Sequence, residues 1–128
     1  MRPNPLAYVA VALAIAACGC ARHDDPLALA SDTTRGVYDA DYAKTTEHFD
    51  AALKLQVTRA SLNALAAQMH ALGAYRGLKQ AASQPDKQRY DFEAAFDKGA
   101  MLVELRLDPN GRIGAYRVVP EVASAAAR

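Results

Sequence analysis

At 128 residues the chain has room for one domain built on one core. Fifteen Lys+Arg offset fourteen Asp+Glu to leave +1, and no block of like charge stands out, so the basic stripe of a tight nucleic-acid binder is missing. Trp is absent, and the two cysteines, Cys18 and Cys20, are too few for a disulfide framework or a zinc site.

The chain opens on a short polar start carrying Arg2, followed by an apolar run from Leu6 to Ala17. That run has the length of a signal-peptide core and is too short to span a bilayer comfortably. Arg22-His23-Asp24-Asp25 closes it abruptly. Ile15-Ala16-Ala17-Cys18 resembles the bacterial lipobox, an aliphatic residue and two small ones ahead of a cysteine. The resemblance implies that 1–17 is a lipoprotein signal peptide and that Cys18 becomes the lipidated first residue of the mature chain. The competing readings are a plain secretory signal and a short anchor helix. Cys20 lacks the aliphatic residue three positions earlier, and a Cys18–Cys20 disulfide would close a very small ring; Cys20 reads as a spare thiol. Gly19, rather than Asp, follows Cys18, which points to the outer membrane facing the periplasm if the source is Gram-negative.

Residues 18–37 are mixed and turn-prone, as in Asp24-Asp25-Pro26 and Ser31-Asp32-Thr33-Thr34, and read as a flexible tether on which Leu27–Leu29 could dock locally. The folded domain is expected over 38–120, with 121–128 a frayed tail. Tyr38, Tyr42, Phe49 and Leu53 form one stripe of a helix from about Asp39 to Gln56. Thr58 is placed to cap a second helix, striped by Leu62, Leu65, Met69 and Leu72 and ended by Gly73. After Gly73 the apolar period becomes two. A less regular strand over about 74–82 leads to a turn at Gln84-Pro85-Asp86. Tyr90, Phe92, Ala94 and Phe96 then alternate with polar or small residues, as do Met101, Val103, Leu105 and Leu107. Lys98-Gly99 and Asp108-Pro109-Asn110-Gly111 supply the turns, and a last strand covers 112–119.

If Lys98-Gly99 is a two-residue turn, Phe96 faces Met101, Ala94 faces Val103 and Phe92 faces Leu105. If Pro109-Asn110-Gly111 is the next turn, Leu107 faces Ile113, Leu105 faces Ala115 and Val103 faces Arg117. All the inward residues then share one face, as a half-buried antiparallel sheet requires. The expected fold class is α+β: an N-terminal helical hairpin packed on a four-stranded antiparallel meander.

The stretches "HFDAALKLQVTRASLNALAAQMHALGAY" and "FEAAFDKGAMLVELRLDPNGRIGAYRVVP" resemble a small uncharacterised domain of secreted bacterial proteins, over roughly Tyr42 to Pro120. The matching elements are Phe49 to Leu53, Thr58, Leu72-Gly73, Lys98-Gly99 and Asn110-Gly111-Arg112-Ile113-Gly114. The resemblance implies an NTF2-like or cystatin-like fold and an accessory, substrate-holding role, and it supplies no catalytic residues. Two departures stand out: Gln68-Met69-His70 replaces a stretch that often carries Trp, and no hydrolase domain follows Pro120.

Chemistry is sparse in the pattern. His23 falls in the tether, and His48 and His70 read as solvated helix-surface histidines. Neither a metal nor a cofactor site is indicated, because Glu47, His48 and Asp50 lack obvious partners elsewhere. No Gly-x-Ser-x-Gly elbow or phosphate loop is present. Asp39 and Asp41 read as charges at a helix N-terminus. Arg117 stands out, because the register puts it on the inner face, where an unpaired guanidinium is costly. It either snorkels from an edge strand, pairs with a helix acid, turns outward at a bulge, or anchors a small carboxylate or phosphate ligand with Tyr75 and Tyr90. The favoured function is an envelope lipoprotein, held in the membrane through Cys18, whose non-catalytic domain binds another envelope protein or a small anionic ligand. The alternative is a small NTF2-like enzyme acting on a small molecule in a conical pocket.

Overall fold

A computed structural model describes residues 25–121. The signal segment, Cys18, Cys20, His23 and residues 122–128 of the expected tail lie outside them.

Asp25 caps the first helix, its carboxylate accepting the Leu27 N–H at 3.3 Å, and Pro26 occupies the first helical position. Helix α1 runs Pro26–Tyr38 and buries Leu29, Ala30, Thr33, Thr34, Gly36 and Val37. The tether expected over 18–37 is therefore corrected from Pro26 onward: these residues form a core helix. Its buried stripe recurs at helical spacing, but half of it is Thr and Gly, which a count of large apolar residues passes over. Small residues there permit close approach; a Cβ on Gly36 would lie 2.8 Å from the Thr45 backbone nitrogen.

The single helix expected over 39–56 is two short ones. Ala40, at φ 55°, ends α1 in a left-handed turn, with the Ala40 and Asp41 N–H groups donating to the Val37 and Gly36 carbonyls. Asp41 then caps α2 (Tyr42–Thr46) and Asp50 caps α3 (Ala51–Gln56) through bonds to the Lys44 and Leu53 N–H groups. Between them Phe49 pairs with Ile113, fastened by Asp50 N–H to Ile113 C=O (2.9 Å) and Ile113 N–H to His48 C=O (2.8 Å). Local caps and that strand-like link override the continuous stripe. Helix α4 (Arg59–Ala71) begins as expected, with Thr58 and Ser61 forming a reciprocal capping box. It buries Leu62, Ala66 and Met69 and packs against α1.

The sheet is an open antiparallel meander, β1 (Tyr75–Gln84), β2 (Arg89–Phe96), β3 (Gly99–Leu107) and β4 (Ile113–Pro120), in the order β1-β2-β3-β4. The protein is α+β, with the helices over one face and the core between the layers. Phe92, Ala94, Phe96, Met101, Val103, Leu105 and Ile113 face Leu29, Ala30, Val37, Leu62 and Met69 across it.

Two registers differ from expectation, with unequal consequences. The β2–β3 turn lies at Asp97-Lys98, so Phe96 pairs with Gly99, Ala94 with Met101 and Phe92 with Val103. That is a shift of two, which leaves every side chain on its expected face. In β3–β4, Leu107 faces Ile113 as expected, but a bulge follows, and Arg106 pairs with Ala115, Leu105 with Tyr116 and Val103 with Val118. The extra residue is Gly114, where a Cβ would meet both Arg106 Nη1 and Asp50 Oδ2 at 3.3 Å. This one-residue slip reverses the faces of the rest of β4.

Candidate functional site

The bulge decides the position of Arg117. It turns outward opposite Glu104, donating to Oε1 from Nε at 2.9 Å and from Nη2 at 2.6 Å, with 68% of its side chain exposed. The inner-face register for Arg117 is thus corrected, and with it the ligand-anchor reading: of the open alternatives the outward turn at a bulge is the one found, its charge met on the outer face by the acid directly across the ladder. Tyr116 takes the inward place, its hydroxyl 2.7 Å from Thr34 Oγ1 and its ring 6.0 Å from that of Phe49. Burial pushes the Tyr116 phenol well above its ordinary value, opposed by the Thr34 hydrogen bond and reinforced by Tyr75.

Tyr75 and Tyr90, expected beside Arg117, are not gathered there and lie far apart from each other. Tyr75 pairs with Phe96 at one end of the β1–β2 ladder and Tyr90 with Ser83 at the other, roughly 20 Å away at the rise of a strand. Tyr75 sits in an aromatic cluster with Phe96 (5.6 Å) and Tyr38 (5.8 Å), beneath the Arg35 guanidinium at 4.9 Å. Burial raises its pKa, and Arg35 opposes the rise. His70 completes this cluster: it stacks on Tyr38 at 4.1 Å and its Nε2–H donates to the Tyr38 carbonyl at 2.7 Å. His70 is thereby a structural contact as well as a surface residue.

The opposite end of the sheet opens into a cleft of about 980 Å³. The first turn of α1 walls it with Pro26 and Leu29, the short 3-10 turn Pro85–Lys87 forms one lip, and the β3–β4 turn forms the other. Tyr90 and Leu107 lie inside, and a Leu107 N–H to Gln88 C=O bond of 2.9 Å ties the two lips together. His48 lines the cleft, its side chain 23% exposed and its Nε2 3.7 Å from Asp32 Oδ2. The expectation of a solvated, partnerless His48 is corrected, because the break between α2 and α3 carries it beside α1.

Arg106, Arg112 and Lys87 supply the cleft's positive charge. Arg112 is fixed by donating from Nε to the Phe49 carbonyl (3.2 Å) and from Nη2 to the Glu47 carbonyl (2.9 Å). Arg106 Nη2 donates to the Gly114 carbonyl at 3.4 Å. Sequence reasoning did not single out these three residues. Arg112 was visible only as the start of the last strand and part of a matching turn element, and its partners are backbone atoms more than sixty positions away. Among the described residues no three His, Cys, Asp or Glu side chains converge as a metal would need, and no helix is long and apolar enough to cross a membrane. Set against known proteins, the chain matches no family model, no curated protein and no solved structure.

Proposed function

We propose that this chain is a bacterial envelope lipoprotein, anchored through a lipid on Cys18, whose NTF2-like α+β domain holds a ligand or partner without transforming it. The observation that carries the reading is Ile15-Ala16-Ala17-Cys18 at the end of a signal-length apolar run. Two acyl chains on such a cysteine suffice for stable anchoring, whereas one holds only marginally. In a Gram-negative cell Gly19 directs the protein to the outer membrane, facing the periplasm. The cleft supports a holding role, because its groups are placed by backbone bonds at its two lips. Labelled palmitate is expected to enter the wild type and to be lost from Cys18→Ser; labelling of the variant would sink the anchor assignment.

A second reading, a small NTF2-like enzyme, is favoured by one observation: His48, which lines the cleft, has the Asp32 carboxylate beside it. Their 3.7 Å separation exceeds a hydrogen bond and Asp32 is 61% exposed, so the ring is weakly oriented. Turnover of simple carboxylic or phosphate esters that disappears in His48→Ala would establish this reading, and equal turnover by both proteins would remove it.

A further inference from the structure

The cleft's arginines are held differently from three of the five described arginines outside it; of the other two, Arg59 lies over the Tyr42 ring and Arg89, like it, has no carboxylate within 4.0 Å. Arg35, Arg76 and Arg117 are each paired with a carboxylate, on Asp39, Asp97 and Glu104. Arg106 and Arg112 are held instead by the backbone carbonyls of Gly114, Phe49 and Glu47. A carbonyl fixes a guanidinium in place without neutralising its net charge, although the Asp50 carboxylate lies with Arg106 against Gly114. Among the described residues no carboxylate comes within 4.0 Å of Arg106, Arg112 or the Lys87 ammonium.

The acids nearby are partly engaged. Asp108 Oδ1 accepts the Asn110 and Arg112 N–H groups, Asp50 Oδ1 caps α3, and Asp32 faces His48. Asp86, beside Lys87, is the acid left on the lip. The two lips are joined by the Leu107–Gln88 bond, so the backbone carrying Lys87 and Arg106 is tied together and an anion has mainly their side chains to order.

We propose that this cleft is a binding site for a phosphate-type oxyanion, received by Arg106 and Lys87 with Arg112 as a fixed positive charge behind them. The nearest source of such a group follows from the anchor, and this step rests on lipidation of Cys18. Only Gly19–Asp25 separate that cysteine from Pro26, which lines the cleft, and fully extended they reach about 25 Å. The cleft mouth is therefore kept near the headgroups of the membrane holding the anchor, where anionic phospholipid presents phosphate at high effective concentration.

The test uses the mature full chain in phosphatidylcholine vesicles, with acylation read from its intact mass. Amide hydrogen exchange over 86–90 and 106–112 is followed as inorganic phosphate is added, and again in vesicles containing phosphatidylglycerol. Slower exchange at both lips is expected in both arms. Lys87→Glu combined with Arg106→Glu should weaken phosphate binding about tenfold or more while the Val103 and Leu105 amides keep wild-type protection. Protection by phosphate alone assigns the site to a soluble phosphate compound, and protection by phosphatidylglycerol alone assigns it to a headgroup; either supports the site. No protection in either arm, or undiminished binding by the double variant, overturns it. If the mass shows no acyl chains the anchor reading fails separately, and the inorganic phosphate arm on the same chain still decides the cleft.

Discussion

The two ends of the sheet are finished in opposite ways, and α1 runs from one to the other. At its C-terminal end Tyr38, His70, Tyr75 and Phe96 fill the space with stacked and tilted rings, closed by the turn at Gly73. At its N-terminal end the space stays open as the cleft, whose apolar wall of Pro26, Leu29, Tyr90 and Leu107 is bordered by charged side chains, Lys87, Arg106 and Arg112 among them. Rings at the first end exchange water for packed apolar surface, which stabilises the fold. Guanidiniums at the second are exposed and have no carboxylate within 4.0 Å, which contributes little to folding and leaves charge for a ligand. The difference teaches that stability and binding capacity are separated along a single helix.

The sharpest way to break that comparison is to remove a ring from the closed end. Phe96 is 6% exposed and touches both Tyr75 and Tyr38. Phe96→Ala is expected to cost about 3–5 kcal/mol in denaturant unfolding of the detergent-solubilised chain. A cost as small as that of Lys87→Glu, a surface change expected to lie within about 0.5 kcal/mol, would show that the closed end does not carry stability preferentially.

Gly73 tests the same end through the backbone. It sits at φ +96°, and a Cβ there would lie 2.9 Å from the Asp97 Cβ. Gly73→Ala therefore combines a strained conformation with a contact to a stiff atom, and about 1–3 kcal/mol of destabilisation is expected. Hydrogen exchange should rise at the Asp97-Lys98 turn, whose N–H groups donate to the Ala74 and Leu72 carbonyls, and remain unchanged around the cleft. Equal loosening at both ends would contradict the separation.

Tyr116 joins α1 to β4 between the two ends. Tyr116→Phe removes its bond to Thr34, at an expected cost of about 0.5–1.5 kcal/mol near neutral pH. Burial raises the phenol pKa of both Tyr116 and Tyr75 above the ordinary 10.0. The folded state thus holds these protons more tightly than the unfolded state does. Their stabilising contribution is complete below pH 10 and declines as the pH rises from there toward the folded values. Alkaline melts should show a falling Tm that is shallower in Tyr116→Phe; an identical slope would remove Tyr116 as a source.

How far the sequence foretold this depends on which errors change a side chain's face. Strand alternation placed Phe92, Ala94, Met101, Val103 and Leu105 inward correctly even though the β2–β3 pairing was off, because a shift of two preserves the face. One extra residue at Gly114 was enough to send Arg117 out and Tyr116 in. A glycine inside a strand is a bulge signal, and a bulge is among the readings open for Arg117, but the alternation alone does not say that the ladder slips there; the Asp50 and Arg106 side chains that a Cβ would meet come from elsewhere in the fold. Helix α1 was hidden because Thr33, Thr34 and Gly36 carry its buried face. The cleft was hidden because its arginines are held by backbone carbonyls, which have no residue-type signature.

Arg117 gives the smallest expected effect and the finest discrimination. Its ion pair with Glu104 is exposed and salt-screened, so Arg117→Ala should cost only about 0.2–1 kcal/mol, less at high salt. It leaves Glu104 at 24% side-chain exposure facing Asp91 across β2, so the residual cost is set by two acids on neighbouring strands rather than by lost packing. Glu104→Gln combined with Arg117→Ala should therefore recover part of the loss. Phosphate protection of the cleft amides should be the same in wild type and Arg117→Ala, because the guanidinium lies on the outer face of β4 while the cleft opens at the end of the sheet. A loss of phosphate binding in Arg117→Ala matching that in the Lys87→Glu, Arg106→Glu variant would mean that binding follows total positive charge. Charge held by carbonyls at the open end and charge neutralised on the outer face would then be equivalent to an anion, and the contrast between them would lose its physical basis.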